Sequence, residues 1–149
     1  MPALNFKSAS FSFMKLLVLS CTAIFISLQL PAQRKLKIAG NNKSEYSIII
    51  PSNADASEKR AASLLKDNLL KITGVQLPVY ADNRKKVSAA EIIIGKTNRN
   101  FPAQPKDLKI LDEDGYWIKT AAKKIFIAGG SGKGVIYGVV SFLEDYLGC

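Results

Sequence analysis

GYWIKTAAKKIFIAGGSGKGVIYGVVSFLEDYLGC, residues 115–149, decides how the chain is read. Gly115 to Thr120 and Lys124 to Ala128 are short runs rich in β-branched and aromatic residues. Ala121-Ala122-Lys123 separates them, which predicts a hairpin. A glycine-rich corner, Ala128-Gly129-Gly130-Ser131-Gly132-Lys133-Gly134, follows the second run. A helix is then expected to open at Ser131 or Gly132. Its apolar positions Val135/Ile136, Val139/Val140, Leu143 and Tyr146/Leu147 recur at helical spacing and make a broad face. Gly138 carries no side chain and lets such a helix lie close to the hairpin.

Upstream elements are read as what this unit packs against. Lys35 to Ile38 is expected as a short strand, and Tyr46 to Ile50 as a firm one closed by Pro51. Asp55 to Ile72 predicts a helix. Asp55 and Glu58 have capping-box spacing, Gly74 provides a stop, and Ala61/Ala62, Leu65, Leu69 and Ile72 share a face. Leu77 to Tyr80 reads as an edge strand, since Pro78 cannot donate to a ladder. Glu91 to Gly95 is a second firm strand, and residues 101–114 a long loop with Pro102 and Pro105.

Runs of strands between two helices predict an α/β (α+β) two-layer sandwich: a mixed, mostly antiparallel sheet with both helices on one face. Ile48-Ile49-Ile50, Ile92-Ile93-Ile94 and Ile125-Phe126-Ile127 put apolar groups on both sheet faces, because side chains alternate along a strand. The face without helices, with Ile49, Ile93 and Phe126, is therefore expected to be partly bare and in need of a cover.

The N-terminus has a different character. Lys15 precedes an apolar run from Leu16 to Leu30, then Pro31-Ala32-Gln33. That order resembles a secretory signal, so residues 1–32 are expected to be a signal peptide, residues 33–149 one domain, and the protein secreted or periplasmic. Val18-Leu19-Ser20-Cys21 offers the alternative of a lipid anchor through Cys21. Without the signal only Cys149 remains of two cysteines, so no internal disulfide is expected. Asn42-Lys43-Ser44 matches a glycosylation acceptor, meaningful only in a eukaryotic secretory pathway. The net charge is +9, and +7 without Lys7 and Lys15. The basic residues are scattered over turns and element ends without interleaved aromatics, which argues for a solvated surface and against a nucleic-acid partner.

Catalytic constellations are sparse. With no histidine and no paired cysteines, the common zinc sets and histidine-based nucleophiles have no residues to use. The glycine corner lies where a phosphate loop would. A Walker loop, however, would need glycine where Ile127 stands and Ser or Thr where Gly134 stands. Nucleotide binding at Gly129 to Gly134, through Lys133, is therefore the weakest of three readings, behind a tight structural turn. Asp112-Glu113-Asp114 on one turn and Glu144-Asp145 on the last helix are not spaced to face each other across a glycosidic bond. No catalytic, cofactor-binding or metal-binding residue is assigned, and no cofactor is expected. Tyr116, Trp117, Tyr137 and Tyr146 are candidates for a sugar platform, with Tyr116 and Trp117 on opposite faces of one strand.

Read in order, one set of motifs resembles a known family. Tyr46 to Pro51, Ala61-Ala62 through Ile72-Thr73-Gly74-Val75-Gln76-Leu77-Pro78, and Glu91-Ile92-Ile93-Ile94-Gly95-Lys96-Thr97-Asn98 belong to it. So do Asp114-Gly115-Tyr116, Ile127-Ala128-Gly129-Gly130, Gly134, Tyr137-Gly138-Val139 and Phe142-Leu143-Glu144-Asp145-Tyr146-Leu147-Gly148-Cys149. The whole is similar to the N-terminal domain preceding the barrel in family 67 alpha-glucuronidases. A like domain precedes the barrel of family 20 β-N-acetylhexosaminidases and of related secreted polysaccharide-degradation proteins. The resemblance implies an α/β sandwich beside a catalytic (β/α)8 barrel that carries the catalytic carboxylates, with none to transfer to this chain. Such proteins continue after Leu-Gly-Cys, typically with Arg-Trp and then the barrel.

The resemblance implies a non-catalytic accessory domain of a secreted, alpha-glucuronidase-like glycoside hydrolase of polysaccharide (xylan) degradation. The chain is expected to be truncated or encoded apart from its barrel, and inactive alone. The barrel, in cis or in trans, is the expected partner on the open sheet face, with polysaccharide as a further partner. The alternative is a stand-alone carbohydrate-binding module using Tyr116 or Trp117, or a protein-docking module.

Overall fold

The computed structural model describes residues 36–100 and 111–148. The expected signal (1–32), Cys21, Lys35, residues 101–110 of the long loop and Cys149 lie outside the described residues. The elements are β1 (Ser47–Ile50), α1 (Ala56–Thr73), β2 (Val79–Ala81), β3 (Glu91–Ile94), β4 (Tyr116–Ala121), β5 (Lys124–Gly129) and α2 (Gly134–Leu147). Leu36 to Ile38 is not a strand; the pairing nearby is a single bridge between Gly40 and Lys43.

Helix α1 forms as its caps prescribe. The Asp55 carboxylate accepts from the Glu58 amide at 2.8 Å, and the Glu58 carboxylate accepts from the Asp55 amide at 3.0 Å. Two orphan amides of the first turn are thereby satisfied. At the other end Gly74 takes φ 69°, and its N–H donates to the Leu70 carbonyl at 2.8 Å. Ala61, Ala62, Leu65 and Leu69 are buried, whereas Ile72, expected on that face, is exposed.

The strands form one sheet in the order β2-β1-β3-β5-β4. The α/β class and the mixed sheet are as expected, but the balance of directions is not. β1–β2, β1–β3 and β3–β5 are parallel, and only the β4–β5 hairpin is antiparallel. Helix α1 crosses over between β1 and β2, and residues 82–90 after β2 return the chain to the starting end of the sheet without a helix, so that β3 also runs parallel; β4 then runs opposite to β3 and pairs back along β5. Counting helices as crossovers therefore undercounts parallel pairs. The uninterrupted apolar triplets were the available signal, because parallel strands are buried on both faces.

Both helices pack on one face. Ala61, Leu65 and Leu69 of α1 and Val135, Val139, Phe142 and Leu143 of α2 share a cluster with Ile48, Ile92, Ile94, Ile125 and Ile127. Gly138 is the contact point: a Cβ there would stand 2.9 Å from Ile127 Cγ2 and 3.1 Å from Tyr116 Cβ. Helix α2 begins at Gly134, later than expected, and Tyr146 at its far end is exposed.

The opposite face departs from expectation. Ile49, Ile93 and Phe126 are register partners across β1, β3 and β5, with exposures of 0, 1 and 4%. They are not bare. Trp117 packs against them. The loop after β3 also brings Arg99 onto this side, where it pairs with Glu91.

Tyr46 belongs to the helix-side core, yet its hydroxyl is buried without a hydrogen-bond partner. Burial raises its pKa above 10.0; Lys123 lowers it and Glu45 raises it, both by less. A folded-state pKa above the unfolded value contributes stability that is present below about pH 10 and lost as pH rises through the folded value. Tyr46→Phe is expected to retain or gain stability near neutrality, by up to about 1 kcal/mol, since an unsatisfied group is removed. It should also flatten the fall in stability above pH 10. Urea denaturation across pH reads both effects.

Candidate functional site

The glycine corner joins β5 to α2. None of its glycines takes a positive φ; those are Gly74, Gly95 and Gly148. What the corner needs is the absence of Cβ. Residues 111–115 lie against it, backbone to backbone. The Gly130 amide donates to the Gly115 carbonyl at 2.9 Å, and the Gly132 amide to the Glu113 carbonyl at 2.9 Å. The Gly134 amide points at the same Glu113 oxygen at 3.4 Å. A Cβ on Gly130 would run into the Asp112 carbonyl, and one on Gly134 into the Gly115 carbonyl. Amides that a phosphate loop would aim at a ligand are thus bonded to the protein itself. This occupied corner also explains the late start of α2. Its N-cap, Lys133, makes no side-chain capping bond.

Beside the corner is a cleft of about 410 Å³, lined by Asp55, Glu58, Gly95, Lys96, Asp112, Glu113 and residues 129–132. The sequence reading put Asp112 and Glu113 on a turn but did not bring them together with Asp55 and Glu58. The capping-box spacing was the signal that places those two at a helix start. Their chemistry is committed there: Glu58 Oε1 also accepts from the Lys96 amide at 3.2 Å, tying α1 to the loop after β3. Asp112, Glu113 and Asp114 are exposed. Glu144 and Asp145 lie apart from the cleft on α2, where Asp145 accepts from Ser141 Oγ at 2.6 Å. Among the described residues no group of three or more acidic or cysteine side chains is placed to hold a metal ion.

A second polar cluster lies on the helix-free face and was missed in sequence. Ser47, Glu91 and Lys124 are register partners in the row next to Ile49, Ile93 and Phe126. Glu91 is fully buried; its Oε2 has Arg99 Nε and Lys124 Nζ each at 3.3 Å. Neither contact is aligned as a hydrogen bond, so Oε2 and Nε are held by charge alone. The rest of the guanidinium is well bonded, to the Asp82 carbonyl at 3.1 Å, Asn98 Oδ1 at 2.8 Å and the Lys85 carbonyl at 2.7 Å. Asp82 accepts from the amides of Ser52 at 3.0 Å and Asn98 at 2.8 Å. The cluster stitches three loops to the sheet, a structural task.

Of the aromatic candidates, Tyr116 and Trp117 do face opposite ways. Trp117 packs on the helix-free cluster, while Tyr116 leans on α2 and its hydroxyl donates to Ser141 Oγ at 3.1 Å. Tyr137 and Tyr146 are exposed on α2, the latter stacked on Phe142.

The described residues form an α/β domain whose glycine corner and buried charges are occupied by its own chain. The chain belongs to the family described as glycosyl hydrolase family 67 N-terminus, whose model matches residues 31–142. Nothing among curated proteins matches the chain. A solved structure, that of a GH138 enzyme targeting pectin rhamnogalacturonan II, is similar at 17% identity and a TM-score of 0.48. That similarity covers 70% of this chain and 10% of the other, so the chain spans about a tenth of that enzyme's length.

Two variants test the structural assignments. Gly130→Ala is expected to cost more than Gly74→Ala, about 3 kcal/mol or failure to fold against about 1 kcal/mol, because the first collides with backbone and the second only strains φ. Arg99→Leu, which leaves the buried Glu91 only Lys124 as a counter-charge and removes the guanidinium bonds to Asp82, Asn98 and Lys85, should cost about 3–5 kcal/mol in urea denaturation.

Proposed function

We propose that this chain is the non-catalytic N-terminal accessory domain of a secreted, alpha-glucuronidase-like glycoside hydrolase. Its catalytic barrel is supplied in cis or in trans, and the signal segment 1–32 exports it. The family match over residues 31–142 carries this reading. The occupied glycine corner supports it, since that corner serves as a seat for residues 111–115. The domain's contribution is then mechanical: a preformed α/β body that associates with the barrel and stabilises it. Its docking surface differs from the one the sequence suggested, because Ile49, Ile93 and Phe126 are buried and do not form a bare face. Xylan-derived oligosaccharides are the proposed substrate class of the whole enzyme.

The purified chain alone is expected to release no glucuronic acid from aldouronic oligosaccharides. Mixed with a family 67 barrel lacking its own N-terminal domain, it should co-elute and raise the barrel's Tm. Hydrolysis by the chain alone, or neither co-elution nor stabilisation, would overturn the reading.

A further inference from the structure

We propose that the outward edge between β4 and α2 is a binding surface for neutral saccharide rings, built from Tyr116, Tyr137, Ser141 and Asp145. Tyr137, Ser141 and Asp145 are spaced by four on α2 and therefore form one stripe along the helix. Tyr116 lies along that stripe from the edge strand, with its Cβ against Gly138 and its hydroxyl on Ser141. The two tyrosines are 43% and 42% exposed, so ring surface faces solvent. Tyr116 Oη donates to Ser141 Oγ at 3.1 Å, and Ser141 Oγ donates to Asp145 Oδ2 at 2.6 Å. This relay holds the Tyr116 ring and the Asp145 carboxylate in fixed relation before any ligand arrives, which lowers the ordering cost of binding.

The chemistry selects the occupant. Two amphipathic rings offer apolar area for the C–H face of a sugar, and the carboxylate at the end of the relay accepts from its hydroxyls. Helix α2 contains Glu144 and Asp145 but no Lys or Arg, so it complements hydroxyl donors and repels carboxylates. A neutral pyranose fits; a uronate does not. A protein partner would call for a larger continuous apolar patch than two half-exposed tyrosines.

The test is an NMR titration of the full chain with xylohexaose and cellohexaose, and with tri-galacturonate as the acidic counterpart. Saturable shifts centred on Tyr137 and Ser141 are expected with at least one neutral oligomer and not with the uronate. Tyr137→Ala, an exposed position that leaves the core untouched, should weaken binding about tenfold. Asp145→Asn should weaken it severalfold, while Tyr146→Ala on the other side of the helix should leave it unchanged. Absence of saturable shifts with both neutral oligomers overturns the proposal. So does binding indifferent to Tyr137→Ala, a preference for the uronate, or shifts that track protein concentration and mark self-association. Because the chain is used without a barrel, these results are read separately from the accessory-domain reading.

Discussion

Residues 111–115 lying backbone to backbone on the glycine corner are the constraint on which the rest of the domain depends. The contact brings the chain into the β4–β5 hairpin at one height and fixes where α2 starts. Once α2 starts at Gly134, its buried stripe meets Ile127 and Tyr116 at Gly138, and α1 meets α2 through the shared core. A Cβ on Gly130, Gly132 or Gly134 would hold the two backbones apart. Four glycines close together are thus a statement about distance, with no conformational freedom required.

Both faces of the sheet are buried, and each by a different kind of material. The helix side is closed by aliphatic packing, which is non-directional and tolerant. The other side mixes an apolar row with a charged one, Glu91 between Arg99 and Lys124. Buried charges are costly to separate and specify position more than they stabilise. Here they tie the loop carrying Arg99 to the start of β3, while Asp82 ties the same loop to the end of β1. The domain is thus pinned at both ends of its central strands.

Where a nucleotide-binding fold would present free amides, this one bonds them to its own chain, and at the cleft Asp55 and Glu58 serve the cap of α1. Among the described residues, the surface of Tyr116 on β4 with Tyr137, Ser141 and Asp145 on α2 combines exposed rings with ordered polar groups.

Much of this was legible in the residues. Capping-box spacing and Gly74 marked α1, the β-branched runs marked β1, β3 and the hairpin, and the glycine corner marked the join to α2. These are local properties, set by which backbone conformations and short-range bonds each residue type allows. Strand direction was not local: the triplets hinted at parallel pairing, but only the helix-free return after β2 and the pairing of β5 with β3 decided it. The same holds for Glu91, Arg99 and Lys124, which are scattered along the chain and acquire meaning only when the sheet register sets them side by side. It holds too for Glu113, whose carbonyl rather than its carboxylate proved to matter, because a backbone contact leaves no mark in sequence except the missing side chain across from it.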